Sequence, residues 1–368
     1  MNPSTAKKLD GKLWRVGAAA ARCLSAALGW RSPESRPLIL RPGGMGDLIL
    51  LCVACEEMGC SPRDFFWLIE RRSSAWAKHL GLDHLCYDED LLGAHCRVAG
   101  RFRLVVNSEQ LFGLSQSTAL LARGRGGRLA CFDTNRGAGW ADVRVGYDPD
   151  QGHESVEFSK LLGAALRLRA ECFSLPRVRR RKAAPARAPI VGIGGLQSES
   201  RALSHEQWYE IIRNWSRGRD FFIASSENDA AFARELWACF EPSAKIFEGT
   251  FSSMCDYVAE CEEVLTVDSG FVHIASYYGV PVTAVFTSGR DKKWGPLSAG
   301  SRMIRRTDLA CQPCTWFGQV PPCPHQFRCK DVEYGRHTRE LNVYSESTPM
   351  ATRPDAAAGL DGEGEDHA

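Results

Sequence analysis

The stretch ILRPGGMGDLILL (residues 39–51) interrupts an aliphatic run with Pro42, Gly43, Gly44, Met45 and Gly46, then sets Asp47 at the head of a second aliphatic run. A short apolar strand, a glycine turn and an apolar helix make the opening unit of an α/β fold. Glycines at such a turn let the backbone bend sharply and approach a ligand closely. Asp47 then has two readings: it caps the helix, or its carboxylate does chemistry.

Outward from this turn, strands alternate with helices. RPLILR (36–41), DFFWLIE (64–70), RFRLVVN (101–107) and RLACF (128–132) read as strands, and HESVEFSKLLGAALRL (153–168) as an amphipathic helix. Residues 36–175 therefore form one doubly wound α/β unit. Residues 176–188, rich in Arg, Pro and Ala without periodicity, read as a basic linker. Such a charge run is a solvated connector or a contact for anionic lipid or phosphate.

A second α/β series occupies residues 189–345, starting with the strand and glycine turn APIVGIGG (188–195). Two such units leave a cleft between the carboxyl ends of two parallel sheets, where open α/β folds bind ligands. The acidic, Gly- and Ala-rich residues 346–368 read as a disordered tail.

The balance of 46 basic and 44 acidic side chains gives no bias toward nucleic acid. Fifteen cysteines in a chain of this length suit reduced thiols in a cytosol better than a disulfide scaffold. No apolar run approaches the roughly 20 residues of a membrane span. Residues 1–35 include an apolar stretch with Lys8, Lys12, Arg15 and Arg22 beside Leu13, Trp14, Val16 and Leu24. That helix either lies on an anionic membrane surface or packs on the protein's own body. The chain is accordingly expected in the cytoplasm, with peripheral contact at the inner membrane as one option.

TVDSGFVHIASYYGVPV (266–282) is the most informative stretch. A strand ends at Val267, a turn follows, and a helix begins near Phe271. A helix start with its free N–H groups suits a phosphate, and His273 in the first turn can reach the same anion. The plainer alternative makes Asp268 or Ser269 an N-cap and His273 a core residue.

Three motifs occur in one order: RPGGMGD, then GIGG with SRALSHEQW, then VDSGFVHIASYYGVPVTAVF. This order resembles glycosyltransferase family 9, the heptosyltransferases of bacterial surface polysaccharides. The resemblance spans about residues 36–330 and implies a GT-B fold, two Rossmann-like domains facing across a cleft. It implies Asp47 as catalytic base, with Gly44, Met45 and Gly46 beside it on the acceptor side. Glu109 and Gln110, after the strand in FRLVVNSEQLFGLS, are further acceptor-side candidates. On the donor side it implies Gly194, Gly195, Arg201, Asp268, Ser269, Gly270 and His273.

The implied reaction is inverting transfer from a nucleotide-sugar, ADP-heptose favoured, to a glycan or glycolipid of the bacterial surface. A protein hydroxyl as acceptor, and a non-catalytic glycan- or nucleotide-binding relative, are the alternatives. Asp88-Glu89-Asp90 and Asp148-Pro149-Asp150 spell the acidic triplet of metal-using sugar transferases. Both read as first-domain loops away from the donor, so no cofactor is expected for catalysis.

The chain departs from the family pattern after its last core strand, where FTSGRDKKWGP replaces a Gly-x-Thr turn. Ser288, Arg290 and Lys292 are the candidates to do that turn's work. The family's returning C-terminal helix has no clear counterpart after Cys329. Cys311, Cys314, Cys323 and Cys329 are spaced C-x2-C-x8-C-x5-C, with His325 nearby. Four thiolates in that spacing suit a structural zinc or iron ion. Protein-modifying heptosyltransferases resembling this family carry an iron-binding finger there. The alternative is a loop of reduced or partly paired cysteines.

Overall fold

The computed structural model describes residues 34–150, 152–168, 179–181, 184–315 and 320–341. The basic N-terminal segment before Glu34 and the acidic tail lie outside the described residues.

The first sheet holds β1 (Leu38–Arg41), β2 (Phe66–Ile69), β3 (His84–Cys86), β4 (Phe102–Asn107), β5 (Arg123–Phe132) and β6 (Val143–Val145). Its order is β3-β2-β1-β4-β5-β6, parallel throughout. The second holds β7 (Ile190–Gly192), β8 (Phe221–Ala224), β9 (Ala244–Ile246), β10 (Val264–Val267), β11 (Val282–Val285), β12 (Arg302–Ile304) and β13 (Thr338–Glu340). Its order is β13-β12-β11-β10-β7-β8-β9, and only β13 runs antiparallel to its neighbour.

In both sheets the chain winds outward in opposite directions from one strand pair, β1/β4 in the first and β7/β10 in the second. Ligands of open α/β sheets bind at such switch points, outside the carboxyl ends of the strands. Asp47 follows β1, Glu109 follows β4, Arg201 follows β7 and Asp268 follows β10. Topology thus brings Asp47 near Glu109 at one switch point and Arg201 near Asp268 at the other.

The first domain's helices are α1 (Met45–Glu57), α2 (Ser74–His79), α3 (Leu91–Val98), α4 (Gly113–Ala122) and α5 (Glu154–Ala165). The second's are α6 (His205–Ser216), α7 (Ala230–Ala238), α8 (Phe251–Glu260), α9 (Gly270–Tyr278), α10 (Asp291–Trp294) and α11 (Tyr334–His337). Most of α1 is apolar all round because it is covered on several sides. Leu48 to Cys55 are fully buried, and the helix packs on α5 of its own domain and on α9 of the other. One apolar cluster therefore runs through both domains, with Trp76 and Tyr277 edge to face at 5.0 Å across the seam.

Within the described part of the linker, residues 180 and 184–187 are exposed, and three arginines reach back to the domains. Arg179 donates its backbone N–H to the Leu297 carbonyl at 2.8 Å, and its guanidinium pairs with Glu56 of α1. Arg181 reaches the carbonyl of Cys261 at 2.6 Å, and Arg187 pairs with Glu260 at 2.7 Å. These arginines stitch the connector to both domains. After Cys329 the described chain forms α11 and then β13 on the edge of the second sheet.

Candidate active site

The first wall grows from β1. Arg41, last in that strand, is buried, and its Nη2 donates to Asp47 Oδ2 at 2.8 Å. Gly43 makes room for it: Gly43 has φ +129°, and a Cβ there would stand 2.9 Å from Arg41 Nη2. Helix α1 starts without a side-chain cap, so the Asp47 carboxylate turns to Arg41 rather than closing its own helix. Asp47 keeps 26% of its side chain exposed. Beside it, a Cβ on Gly44 would meet nothing within 4 Å, so that turn opens onto space.

Glu109 and Gln110 are buried just after β4. Glu109 Oε1 accepts from the Leu111 N–H at 3.1 Å, and burial raises its carboxyl pKa against the pull of Arg41. Gln110 bridges two buried charges: its Oε1 accepts from Arg41 Nη1 at 3.3 Å, and its Nε2 donates to Glu154 Oε1 at 2.5 Å.

The second wall grows from β7 and β10. Gly195 takes φ +75° and turns the chain so that Arg201 comes back to the end of β10. Arg201 Nη1 donates to the Asp268 carbonyl at 3.1 Å and lies 3.9 Å from its carboxylate. Burial raises the Asp268 pKa while Arg201 opposes it. Gly194 lets the loop close onto Ser269, whose Cβ would be 3.1 Å from an added methyl. Ser269 caps α9, accepting from the Phe271 N–H at 3.4 Å.

The two walls touch. A Cβ on Gly270 would lie 3.0 Å from Met45 Cε, and one on Gly46 would lie 3.0 Å from His273 Nε2. His273 is buried, which pushes its pKa down to about 4 although Asp47 pulls it upward. Its Nδ1 is buried without a hydrogen-bond partner.

The substitutes for the Gly-x-Thr turn go elsewhere. Ser288 is buried and donates to Ser200 Oγ at 2.8 Å, tying the β11 turn to the loop after β7. Arg290 pairs with Asp150 of the first domain at 2.7 Å. The second acidic triplet thus reaches the second domain through Asp150. Lys292 is exposed, and its neighbour Lys293 is the one turned inward. Lys293 Nζ stands 3.0 Å from Glu154 Oε2 and 3.0 Å from the Asp148 carbonyl. Arg41, Tyr147, Glu154 and Lys293 were not singled out in the sequence. Only Arg41 left a trace there, as a charge ending an apolar strand before glycines.

Cys311, Cys314, Cys323 and Cys329 carry free thiols in one neighbourhood. Burial pushes Cys329 up to about 11, with the other three thiols adding to the rise. Among the described residues, no group of three or more Cys, His, Asp or Glu is arranged to hold a metal ion. The loop of these cysteines borders a cavity of about 450 Å³ shared with Ser198, Glu199 and Ser200.

Residues 180–320 match the family described as glycosyltransferase family 9 (heptosyltransferase). Lipooligosaccharide heptosyltransferase 2 of Campylobacter jejuni subsp. jejuni serotype O:2 is 29% identical over 130 residues, 34% of this chain and 40% of that protein. Its counterpart from serotype O:6 is 27% identical over 96 residues, 26% of this chain and 30% of that protein. The matches thus span less than half the length of these curated relatives. In fold, E. coli heptosyltransferase WaaC with ADP aligns over 72% of this chain and 91% of its own, at TM-score 0.56 and 15% identity. E. coli ADP-heptose lps heptosyltransferase II aligns over 74% and 91%, at TM-score 0.57 and 14% identity. The second domain is thus similar in sequence to the heptosyltransferases of glycosyltransferase family 9, and both domains share their GT-B fold.

Proposed function

We propose that the chain transfers a sugar, heptose favoured, from a nucleoside diphosphate to a glycan or glycolipid of the bacterial surface, with inversion and without a metal. The observation that carries this is the meeting of the Asp47 turn with the Asp268–His273 turn across the cleft. The acceptor hydroxyl gives its proton to the Asp47 carboxylate as its oxygen bonds the anomeric carbon. The bond from that carbon to the diphosphate breaks on the opposite side, so configuration inverts. Arg201 and the start of α9 meet the charge that builds on the leaving phosphate. The unpaired Nδ1 of His273 supplies a further polar contact once a phosphate arrives.

The relatives with matching sequence are lipooligosaccharide heptosyltransferases, and a neighbouring fold is recorded with ADP. These support an ADP-linked heptose and a lipid-borne acceptor met at the cytoplasmic face of the inner membrane. Among the described residues, no helix is long and apolar enough to cross a membrane. The basic segment before Glu34 is the part we assign to membrane contact.

The test is a panel of nucleotide-sugars with a core-oligosaccharide glycolipid, run with and without a chelator, and with the product anomer read by NMR. Inverted product from ADP-heptose, unaffected by chelation, is expected. Turnover that disappears with the chelator, or that retains configuration, overturns the proposed mechanism.

A further inference from the structure

The cleft carries a chain of buried polar contacts that the reaction as described leaves unused. It begins in the second domain at Lys293, of which 2% is exposed, and crosses to Glu154, which is fully buried. Glu154 Oε2 also accepts from Tyr147 Oη at 2.9 Å, and Lys293 Nζ sits 4.4 Å from the centre of the Tyr147 ring. Glu154 Oε1 accepts from Gln110 Nε2, which turns Gln110 Oε1 toward Arg41 Nη1. The same guanidinium holds Asp47 through Nη2 and the Ser108 carbonyl at 2.8 Å through Nη1. Each contact fixes the orientation of the next, from one domain to the carboxylate of the other.

Burial is what makes the chain consequential. Glu154 is pushed toward its protonated form by burial and by Asp47, and Lys293 is the strongest opposing influence, with Arg41 behind it. A buried carboxylate stripped of its cation must protonate or move. Either change alters what Gln110 bonds to.

We propose that Lys293 is a positioning residue for Asp47: by holding Glu154 across the domain seam, it fixes Gln110 and Arg41, so that the Asp47 carboxylate is oriented when the two domains are together. The device rests on the reading of Asp47 as base. It couples closure of the cleft to readiness of the acceptor side, and it gives the first domain a means of sensing the second.

The test reads Arg41 directly. In ¹⁵N NMR of the full chain, with Arg41 assigned through Arg41→Lys, its Nη groups are expected to rotate slowly because both ends are bonded. Lys293→Met, and Lys293→Gln as the less disruptive variant, should speed this rotation, with the Ser108 carbonyl and Asp47 still holding the guanidinium. Gln110→Met should do the same alone, and adding Lys293→Gln to it should change nothing further. With ADP-heptose and the glycolipid acceptor, kcat of the Lys293 variants should fall on the order of ten- to a hundredfold, with donor KM little changed. Unaltered Arg41 signals in both Lys293 variants overturn the proposal. So does a Lys293 effect that persists in the Gln110→Met background. Turnover retained in Asp47→Asn would instead overturn the base reading and leave the Arg41 result to decide the coupling.

Discussion

Gly46 and His273 meet across the two domains so closely that a Cβ on Gly46 would stand 2.6 Å from His273 Cδ2. Gly46 lies inside α1, where alanine by itself would favour the helix by about 1 kcal/mol. Gly46→Ala should nevertheless destabilise the protein, by about 1–3 kcal/mol, because the imidazole has no room to give. His273→Ala in the same chain should return most of that loss. Denaturant unfolding of the single and double variants checks this. A stabilised Gly46→Ala protein would mean that the walls do not touch in solution.

Asp47 is bonded to Arg41 and caps nothing, so its substitution separates chemistry from folding. Asp47→Asn leaves an amide oxygen that Arg41 can still use, and the fold and ADP binding should persist. Turnover should fall on the order of a hundredfold or more, as expected for loss of a general base. ADP titration followed by steady-state kinetics on one preparation decides it. Near-normal kcat in the variant would remove Asp47 from the reaction.

What the sequence made legible follows from the range of the interactions involved. The turns at Asp47 and Asp268 are local events, with a strand end, glycines and a helix start within a few residues. Their pattern therefore survives in one dimension. Arg201 is marked only by its place after the glycine turn of β7, and its partner Asp268, at the end of β10, lies 67 residues away. The pairs Arg290–Asp150 and Lys293–Glu154 join distant segments of different domains, and nothing near either partner announces the other. Lys292 and Lys293 are adjacent at the start of a four-residue helix, too short for a hydrophobic period to say which faces inward. Gln110 looked like an acceptor contact because it follows a strand end. Only the placement of α5 shows that Glu154 covers it. Helix α2, SAWAKH, escaped for the same reason as α10: six residues carry too little periodicity.

Arg201, as the phosphate-side basic residue, and Lys292, as a stand-in for the Gly-x-Thr turn, are both expected at the donor phosphates, and their surroundings differ. Arg201 stands beside the start of α9, while Lys292 faces solvent. Arg201→Ala should weaken ADP binding by about 1.5–3 kcal/mol, and adenosine binding much less, since a charge-assisted bond to phosphate is what is lost. Lys292→Ala should change ADP binding by less than about 0.5 kcal/mol. Calorimetry with both ligands provides the comparison. Equal losses for ADP and adenosine in Arg201→Ala would place that side chain away from the phosphates.

His153 links acidity to closure of the cleft. It precedes α5, and its Nδ1 accepts from the Ser155 N–H at 3.2 Å while its Nε2–H donates to the Gly295 carbonyl of the second domain at 3.0 Å. The Nδ1 contact requires the neutral ring, while the bond to Gly295 is open to either form and pulls the pKa upward; burial outweighs it and lowers the pKa to about 3. The unfolded chain takes up a proton on this histidine near its ordinary value of about 6.5, and the folded chain does not. The unfolded state therefore binds more protons between those two values, and stability falls as pH falls through the window. Burial of Glu109, Glu154 and Asp268 raises their pKa and acts in the opposite sense, so the wild-type curve alone is not diagnostic. The difference between wild type and His153→Gln isolates the ring, because glutamine keeps an N–H for Gly295 and does not titrate. Any advantage of wild type over that variant should shrink by about 2 kcal/mol between pH 7 and pH 5, measured by urea unfolding at each pH. A difference that stays flat over this range would mean that His153 takes up its proton in the folded protein as readily as in the unfolded chain, and is not held neutral by burial.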